Sequence, residues 1–223
     1  MKIDLLIDNK KTFLYNYKNK IKKLITSAVK KKRGGGIKYR FFHKHNKIKK
    51  GDIMFVIGCQ KILEEKELKK HKLNLVIHPS KLPKGKGHAA LFNEILKRKS
   101  TFYITMFNAS ADMDGGNICM VKKFRLVGHE LHDEIRYKQA HLTLKMIDKF
   151  IKNYPNIKFI KQKGKSTFYK KRTEKDHKLN INKSIKSQFN LLRISCNKNY
   201  PAFFLLNKKK YILNINAEST KKN

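Results

Sequence analysis

The sequence predicts an α/β fold on one open sheet, and three observations carry that expectation. Short apolar runs at 3–7, 52–58, 73–77, 102–107 and 118–126 have strand length, and they alternate with longer stretches whose apolar residues recur at helical spacing. The run 73–77 ends on His78 and opens into the Pro- and Gly-bent segment Pro79-Ser80-Lys81-Leu82-Pro83-Lys84-Gly85-Lys86-Gly87. A second polar punctuation, Ala111-Asp112-Met113-Asp114-Gly115-Gly116-Asn117, separates the last two strand-like runs. In open α/β sheets ligands bind beyond the carboxyl ends of the strands. His78 and Asp114, each delivered by a strand end, can therefore form an acid–base pair.

Residues 3–7 read as the first strand. A helix is expected over 11–32, where Leu14, Ile21, Leu24, Ile25 and Val29 share one face. Gly34-Gly35-Gly36 breaks it. That run lacks both the Gly-Lys-Ser/Thr ending and the G-x-G-x-x-G spacing of phosphate cradles, so it reads as a flexible connection. A second strand is expected at 37–42, then a basic loop with His43 and His45. No Cys, Asp or Glu stands near them in sequence, so no metal site is expected. The strand 52–58 ends in a turn at Gly58, a short helix covers 63–70, and 73–77 leads to His78. Residues 87–99 read as a helix with Leu91, Ile95 and Leu96 on its apolar side. Beyond the strands 102–107 and 118–126, a long amphipathic helix spans 128–154, with Leu131, Ile135, Leu142, Met146 and Phe150 on one face. His129-Glu130-Leu131-His132 lacks the two-residue gap that puts both histidines on one helix face, so it reads as a helix start. Asp112 reads as a turn former. Pro155 marks a boundary. After it come β-like runs at 157–160 and 166–169, a helix at 182–193, and strands at 202–206 and 211–215. The expected organisation is a catalytic domain at 1–154, a small domain at 155–217 and a disordered polar tail at 218–223.

A chain of 223 residues with 40% apolar content can bury one good core and a small appendage. No apolar run reaches the ~20 residues that span a bilayer. The first residues are too short and too acidic for a signal peptide. Three widely spaced cysteines argue for a reducing compartment. The expectation is a cytoplasmic protein with no membrane partner. The net charge of +38 attracts polyanions. Arginine, the usual bidentate reader of phosphates and bases, is scarce against lysine, and the lysines are spread along the chain. Compositional drift is the better account of most of this charge. The field would still help to capture an anionic substrate.

The two polar loops resemble the signature of the folate-dependent formyltransferases. That family carries a histidine at a strand end, a Ser-x-Leu-Pro-x-x-x-Gly loop after it, and an Asp-x-Gly loop further on. Val76-Ile77-His78-Pro79-Ser80-Lys81-Leu82-Pro83-Lys84-Gly85-Lys86-Gly87 is similar to the first element, and Asp114-Gly115-Gly116-Asn117-Ile118 to the second. Gly58-Cys59-Gln60-Lys61-Ile62-Leu63 resembles the turn that holds the pterin of the cofactor. Phe168-Tyr169-Lys170-Lys171-Arg172-Thr173-Glu174-Lys175-Asp176, Phe189-Asn190-Leu191-Leu192-Arg193 and Tyr200-Pro201-Ala202-Phe203-Phe204 continue the match in order. The resemblance covers about residues 50–215. It implies a Rossmann-like formyltransferase domain with a short C-terminal α+β appendage, a truncated OB-like barrel. One position departs. The family places an asparagine two residues before the histidine, where this chain has Val76. Asn74 shares that strand face but lies about 7 Å further back at ~3.4 Å per residue.

The resemblance implies formyl transfer from 10-formyltetrahydrofolate to an amine. The amine attacks the formyl carbon through a tetrahedral oxyanion, and a proton moves from the amine to the leaving nitrogen. His78 would donate to the oxyanion and carry the proton, and Asp114 would favour the imidazolium and fix its orientation. Gln60, Lys61, Ile62 and Leu63 would offer backbone groups and an apolar wall to the pterin. Ser80, Lys81, Leu82 and Pro83 would line the formyl-carrying side. Lys84 and Lys86 could reach a phosphate. The acceptor favoured by the shortened C-terminal segment is a nucleotide-linked amino sugar. Charged initiator methionyl-tRNA is the alternative, and a non-catalytic folate- or nucleic-acid-binding relative is a further one. A homodimer is left open.

Overall fold

The computed structural model describes residues 1–30 and 38–218, the side chains of 28–30 excepted. The glycine run 34–36, Val29's place on the helix face and the tail from 219 onward lie outside the described residues.

Successive strands feed one six-stranded sheet because each apolar run is followed by a segment that packs back across it. β1 (Lys2–Leu6), β2 (Lys38–Phe42), β3 (Gly51–Val56) and β4 (His71–His78) run parallel. The two-residue β5 (Lys86–Gly87) lies apart from them. β6 (Thr101–Asn108) runs antiparallel to β4, and β7 (Ile118–Arg125) antiparallel to β6. The spatial order is β2-β1-β3-β4-β6-β7. The chain reverses direction across the sheet at β1, which leaves a crevice between the carboxyl ends of β1 and β3.

Side chains alternate across the sheet. One face presents Ile3, Leu5, Ile53, Phe55, Leu75 and Ile77 to α1 (Lys18–Lys30) and to a long helix at His132–Asn153, where Ile21, Ile25, Met146, Ile147 and Phe150 meet them. The other face carries Leu6, Met54, Val56 and Val76, covered by Leu63 and by Leu68 of α2 (Glu65–Leu68). In β4 the same alternation sends Leu75 and Ile77 to the helices. Asn74, Val76 and His78 go to the opposite face.

Several elements are shorter than expected, each for a local reason. Residues Phe13–Tyr17 form a 3₁₀ turn, and α1 starts only at Lys18. α3 (Ala90–Leu96) starts late because Gly87 is spent in β5 and Ala89 takes a left-handed φ of 50°. The long helix, α4, starts at His132, where the Glu134 carboxylate accepts the Leu131 N–H at 2.8 Å. Residues 157–160 form no strand; Ile160 alone bridges Ile118. The run at 166–169 narrows to β8 (Phe168–Tyr169), which pairs with β5. α5 (Ile185–Ile194) begins at its cap, where the Ser187 N–H donates to Ser184 Oγ at 3.2 Å. β9 (Ala202–Leu206) and β10 (Lys209–Leu213) close the described chain as an antiparallel hairpin. No helix among the described residues is long and apolar enough to cross a membrane.

The segment beyond Pro155 is built into the body of the protein. Ile194 of α5 packs with Leu91, Phe92, Ile95, Phe102, Leu126 and Ile135. Next to it Arg193 is 2% exposed and lies 3.7 Å from the buried Glu130 carboxylate. Burial pushes the Glu130 carboxyl up. Hydrogen bonds from Lys138 and from the Val127 and Gly128 N–H groups outweigh it and bring the group from the ordinary 4.5 down to about 2. A depressed carboxyl stabilises the fold fully above its ordinary value, and that contribution is lost as pH falls toward the folded value. Urea unfolding of the wild type and Glu130→Gln between pH 6 and pH 2 is the test. The wild type is expected to lose about 3 kcal/mol more than the variant between about pH 4.5 and about pH 2.

Candidate active site

His78 ends β4 buried, and its surroundings are made by the loop that follows it. The ring Nε2 lies 2.8 Å from the Gly85 carbonyl. A carbonyl only accepts, so Nε2 carries the proton. The loop is tied back at several points. Ser80 N–H donates to the His78 carbonyl at 3.0 Å, and Thr105 Oγ1 donates to the Ser80 carbonyl at 2.6 Å. Ser80 and Leu82 are buried, and Ser80 Oγ has no partner. Lys81 is exposed, with its ammonium 5.0 Å from the Tyr103 ring. Lys84 is exposed, whereas Lys86 is buried and sits 5.6 Å from the Phe168 ring. Of the two lysines considered for a phosphate, Lys84 is the one that reaches solvent.

Asp114 comes from the 109–117 connection between β6 and β7 and has a left-handed φ of 49°. Its Oδ2 accepts the Gly87 N–H at 2.8 Å and stands 3.6 Å from His78 Nδ1. His78 and Asp114 are thus brought together. The connection crosses β6 closely at Gly116, where a Cβ would lie 1.6 Å from the Asn108 carbonyl oxygen.

The turn at 59–63 sits at the crevice between β1 and β3. Asp8, just beyond β1, accepts the backbone N–H of Gln60 at 2.9 Å and of Lys61 at 3.0 Å. These two N–H groups are therefore committed inside the protein. Asp8 also faces His45 Nε2 at 3.2 Å, and His45 Nδ1 lies 3.1 Å from Glu67 Oε2. The same Glu67 oxygen accepts the Glu64 N–H at 2.8 Å and so caps α2. The fold supplies the two carboxylates that the sequence around His45 lacks. Among the described residues, no group of three His, Cys, Asp or Glu could hold a metal ion. Beside the turn, burial pushes the Cys59 thiol up to about 12, and its Sγ is 3.5 Å from the Leu6 carbonyl. Ile62 is 45% exposed, whereas Leu63 is buried with Val56, Val76 and Ala109.

Asn74 is pinned away from the histidine. Its amide donates to the Leu68 carbonyl at 2.9 Å, and its N–H donates to Asn108 Oδ1 at 2.7 Å. Sequence reasoning gives only β-like runs at 157–160 and 166–169 and misses that residues 160–169 clasp both loops. Gln162 donates to the Asp114 and Gly116 carbonyls, each at 2.8 Å. Thr167 Oγ1 accepts the Gly85 N–H at 2.8 Å, and the Tyr169 carbonyl accepts the His88 N–H at 3.0 Å. A lone glutamine among lysines carries no sequence signal. The acid that follows β1, Asp8, is the one feature of its network that strand-end reasoning could find.

No family model matches the chain. It is 31% identical over 144 residues to the methionyl-tRNA formyltransferase of Thermosipho melanesiensis, covering 65% of this chain and 47% of that protein. The chain thus spans about half the length of the curated relatives it matches. Its fold is similar to a 4-N formyltransferase from Francisella tularensis, with a TM-score of 0.77, 15% identity and 98% of each chain covered. It is also similar to a sugar N-formyltransferase from Shewanella sp., with a TM-score of 0.74, 15% identity and 99% of each chain covered. HypX from Aquifex aeolicus, solved with tetrahydrofolic acid, aligns with 96% of this chain and 37% of its own at 15% identity and a TM-score of 0.69. The parallel-dominated sheet with its C-terminal antiparallel hairpin is the formyltransferase fold. Over the stretch it shares with its sequence relatives, the chain is similar in sequence to methionyl-tRNA formyltransferases.

Gly87 has a φ of 85°, and a Cβ there would lie 2.5 Å from the Tyr169 carbonyl oxygen. Gly87→Ala is therefore expected to cost about 2 kcal/mol or more. The expected fall in Tm, measured by calorimetry, is about 5 °C.

Proposed function

We propose that this chain transfers the formyl group of 10-formyltetrahydrofolate to an amine. The observation that carries the reading is the approach of Asp114 Oδ2 to within 3.6 Å of His78 Nδ1, with that carboxylate locked on the Gly87 N–H. In the reaction a bond forms between the amine nitrogen and the formyl carbon, the bond from that carbon to the folate nitrogen breaks, and a proton passes from the amine to the folate nitrogen. For His78 to donate to the oxyanion and relay that proton, its Nε2–H has to leave the Gly85 carbonyl for the substrate. Asp114 orients the ring. The folate donor would be held by the turn Gln60–Leu63 and the loop Ser80–Pro83. The exposed Ile62 and the apolar side chains of Val76 and Ala109 behind it suit a flat ring. With Gln60 and Lys61 N–H groups taken by Asp8, this turn would offer the pterin its carbonyls and side chains. Val76 supplies no amide and Asn74 is committed elsewhere, so one oxyanion donor of the family pattern is missing. Such a donor is worth about a hundredfold in rate.

For the acceptor, the reading we favour is the amino group of a nucleotide-linked sugar. Its support is Lys81 and Lys84 exposed on the loop after His78, where a phosphate can be met; the whole-chain fold similarity extends to both kinds of enzyme. Charged initiator tRNA is the second reading, favoured by the sequence relatives and by the net charge of +38.

Titration with 5-formyltetrahydrofolate, a stable analogue of the donor, is expected to raise the Tm by mass action. No shift at about millimolar ligand would remove the folate reading. His78→Ala and Asp114→Asn are each expected to lower turnover by about two orders of magnitude while keeping that thermal shift. Near-normal turnover in either variant would take that residue out of the mechanism.

Initial rates on several nucleotide-linked amino sugars and on charged initiator tRNA, at salt near 150 mM where the Debye length is about 8 Å, decide the acceptor. A sugar is expected to be formylated with little salt dependence, because it offers only a pyrophosphate. Efficient formylation of the tRNA and of no sugar would reverse the order of the two readings.

A further inference from the structure

We propose that Gln162 is a positioning residue for Asp114. Its side-chain amide sets the left-handed turn from which the carboxylate faces His78. The inference rests on the formyl-transfer reading for its kinetic part and on geometry alone for the rest.

Gln162 reaches Asp114 through a defined register. Ile160 and Ile118 exchange both backbone hydrogen bonds at 2.8 Å in an antiparallel bridge. Two residues further along one chain and two back along the other, Gln162 stands opposite Gly116. Its Nε2 then donates to the carbonyls of Asp114 and Gly116, each at 2.8 Å. Both neighbours only accept, so the amide has one orientation. The two N–H bonds occupy the nitrogen's full donor capacity, and they leave Oε1 buried without a partner. A side chain that tolerates an unpartnered buried acceptor is held there for what its other end does.

What that end does is fix a strained peptide. Asp114 has a φ of 49°, a conformation that non-glycine residues adopt at a cost. With its carbonyl clamped, the backbone around Asp114 has little freedom left. Its Oδ2 is then delivered to the Gly87 N–H at 2.8 Å and to His78 Nδ1 at 3.6 Å. Released from Gln162, the turn can relax, and the carboxylate would swing from the ring while His78 keeps its bond to Gly85.

Gln162→Met keeps the length and removes both donors. Turnover is expected to fall about tenfold or more, since about 1 Å of misplacement can cost about a hundredfold. The Tm should fall only by the few degrees that two lost hydrogen bonds carry, and the KM for the folate donor should stay close to wild type. In an Asp114→Asn background the same substitution should cost less than about twofold, because Gln162 acts through the carboxylate already lost. An equal loss in both backgrounds would mark Gln162 as a general staple and overturn the proposal. Gln162→Glu supplies a second variant. Its ionised carboxylate faces two carbonyls and should be impaired. It should regain activity relative to wild type as pH falls, because a protonated carboxyl can donate one hydrogen bond. A Gln162→Glu pH profile that parallels wild type would count against the proposal.

The His78 ring-proton resonances, read by NMR at fixed pH, give a measure that needs no substrate. They should move in Gln162→Met as they do in Asp114→Asn. If no amine is formylated by the wild type, the functional reading falls and this measurement still decides the role of Gln162. Unmoved resonances in Gln162→Met, with those of Asp114→Asn displaced, would refute it.

Discussion

A single carboxylate oxygen holds the candidate site together. Asp114 Oδ2 accepts the Gly87 N–H and faces His78, so the loop after β4 and the connection between β6 and β7 meet at one atom. Much of the local geometry follows from that meeting. Gly87 must lie under the Tyr169 carbonyl, where no side chain fits, and Gly116 must pass the Asn108 carbonyl, where none fits either. Asp114 must take a left-handed turn to reach across. The paired glycines and bent loops are therefore conditions for bringing two non-adjacent segments into register, beyond any general need for flexibility. The charge-assisted hydrogen bond to a backbone N–H is also stronger than a neutral one, and it fixes the oxygen more firmly than a solvated aspartate would be.

The proposed cofactor turn depends on a separate contact at the point where the sheet changes direction. There the Asp8 carboxylate accepts two successive backbone N–H groups from the turn after β3, and His45 links Asp8 to the cap of α2 through Glu67. Donors that would otherwise point into the crevice are satisfied from within. The crevice wall next to Ile62 and Val76 is therefore more apolar than a bare turn would be, which favours a flat aromatic ligand over an anion. This bears on the charge. A crevice built as an anion site would leave those N–H groups free. The excess of lysine lies elsewhere, along the surface.

The main elements were legible because their physics is local. Short apolar runs of strand length mark β1, β3, β4, β6 and β7, and the helical stripe through Ile135, Met146 and Phe150 marks α4. His78 and Asp114 were legible through loop chemistry, since Pro and Gly clusters after apolar runs announce strand ends. Their pairing was expected from two strand ends; what could not be read is the antiparallel β6 and the connection returning across it that bring them together. Helix starts at 87 and 128 were misplaced where long-range contacts compete with local preference. Gly87 pairs with Tyr169, and the residues before α4 are held by Glu130. The run 157–160 has the composition of a strand, but only Ile160 finds a partner. Asp8 and Gln162 act on backbone groups far away in sequence, and Glu67 reaches the distant His45 side chain. No spacing rule reports such contacts, and only Asp8, just past a strand end, could have been suspected.

A compositional break at Pro155 invites a division between a chemical domain and an appendage. The hydrogen bonds argue for a different division. Residues 160–169 bond to Ile118, Asp114, Gly116, Gly85, Lys86 and His88, which are the two site loops and their flanks. Arg193 and Ile194 are sealed against Glu130 and the residues around α3 and α4. The strand that carries His78 and the connection that carries Asp114 are thus held in their mutual geometry by a third segment supplied from beyond the boundary. Loop closure across such separations costs entropy that grows only slowly with length, so a distant clasp is nearly as cheap as a near one. The segment 160–169 thereby holds both loops of the candidate site. Variation within 160–169 therefore acts on the geometry of the His78–Asp114 pair while the central sheet stays unchanged.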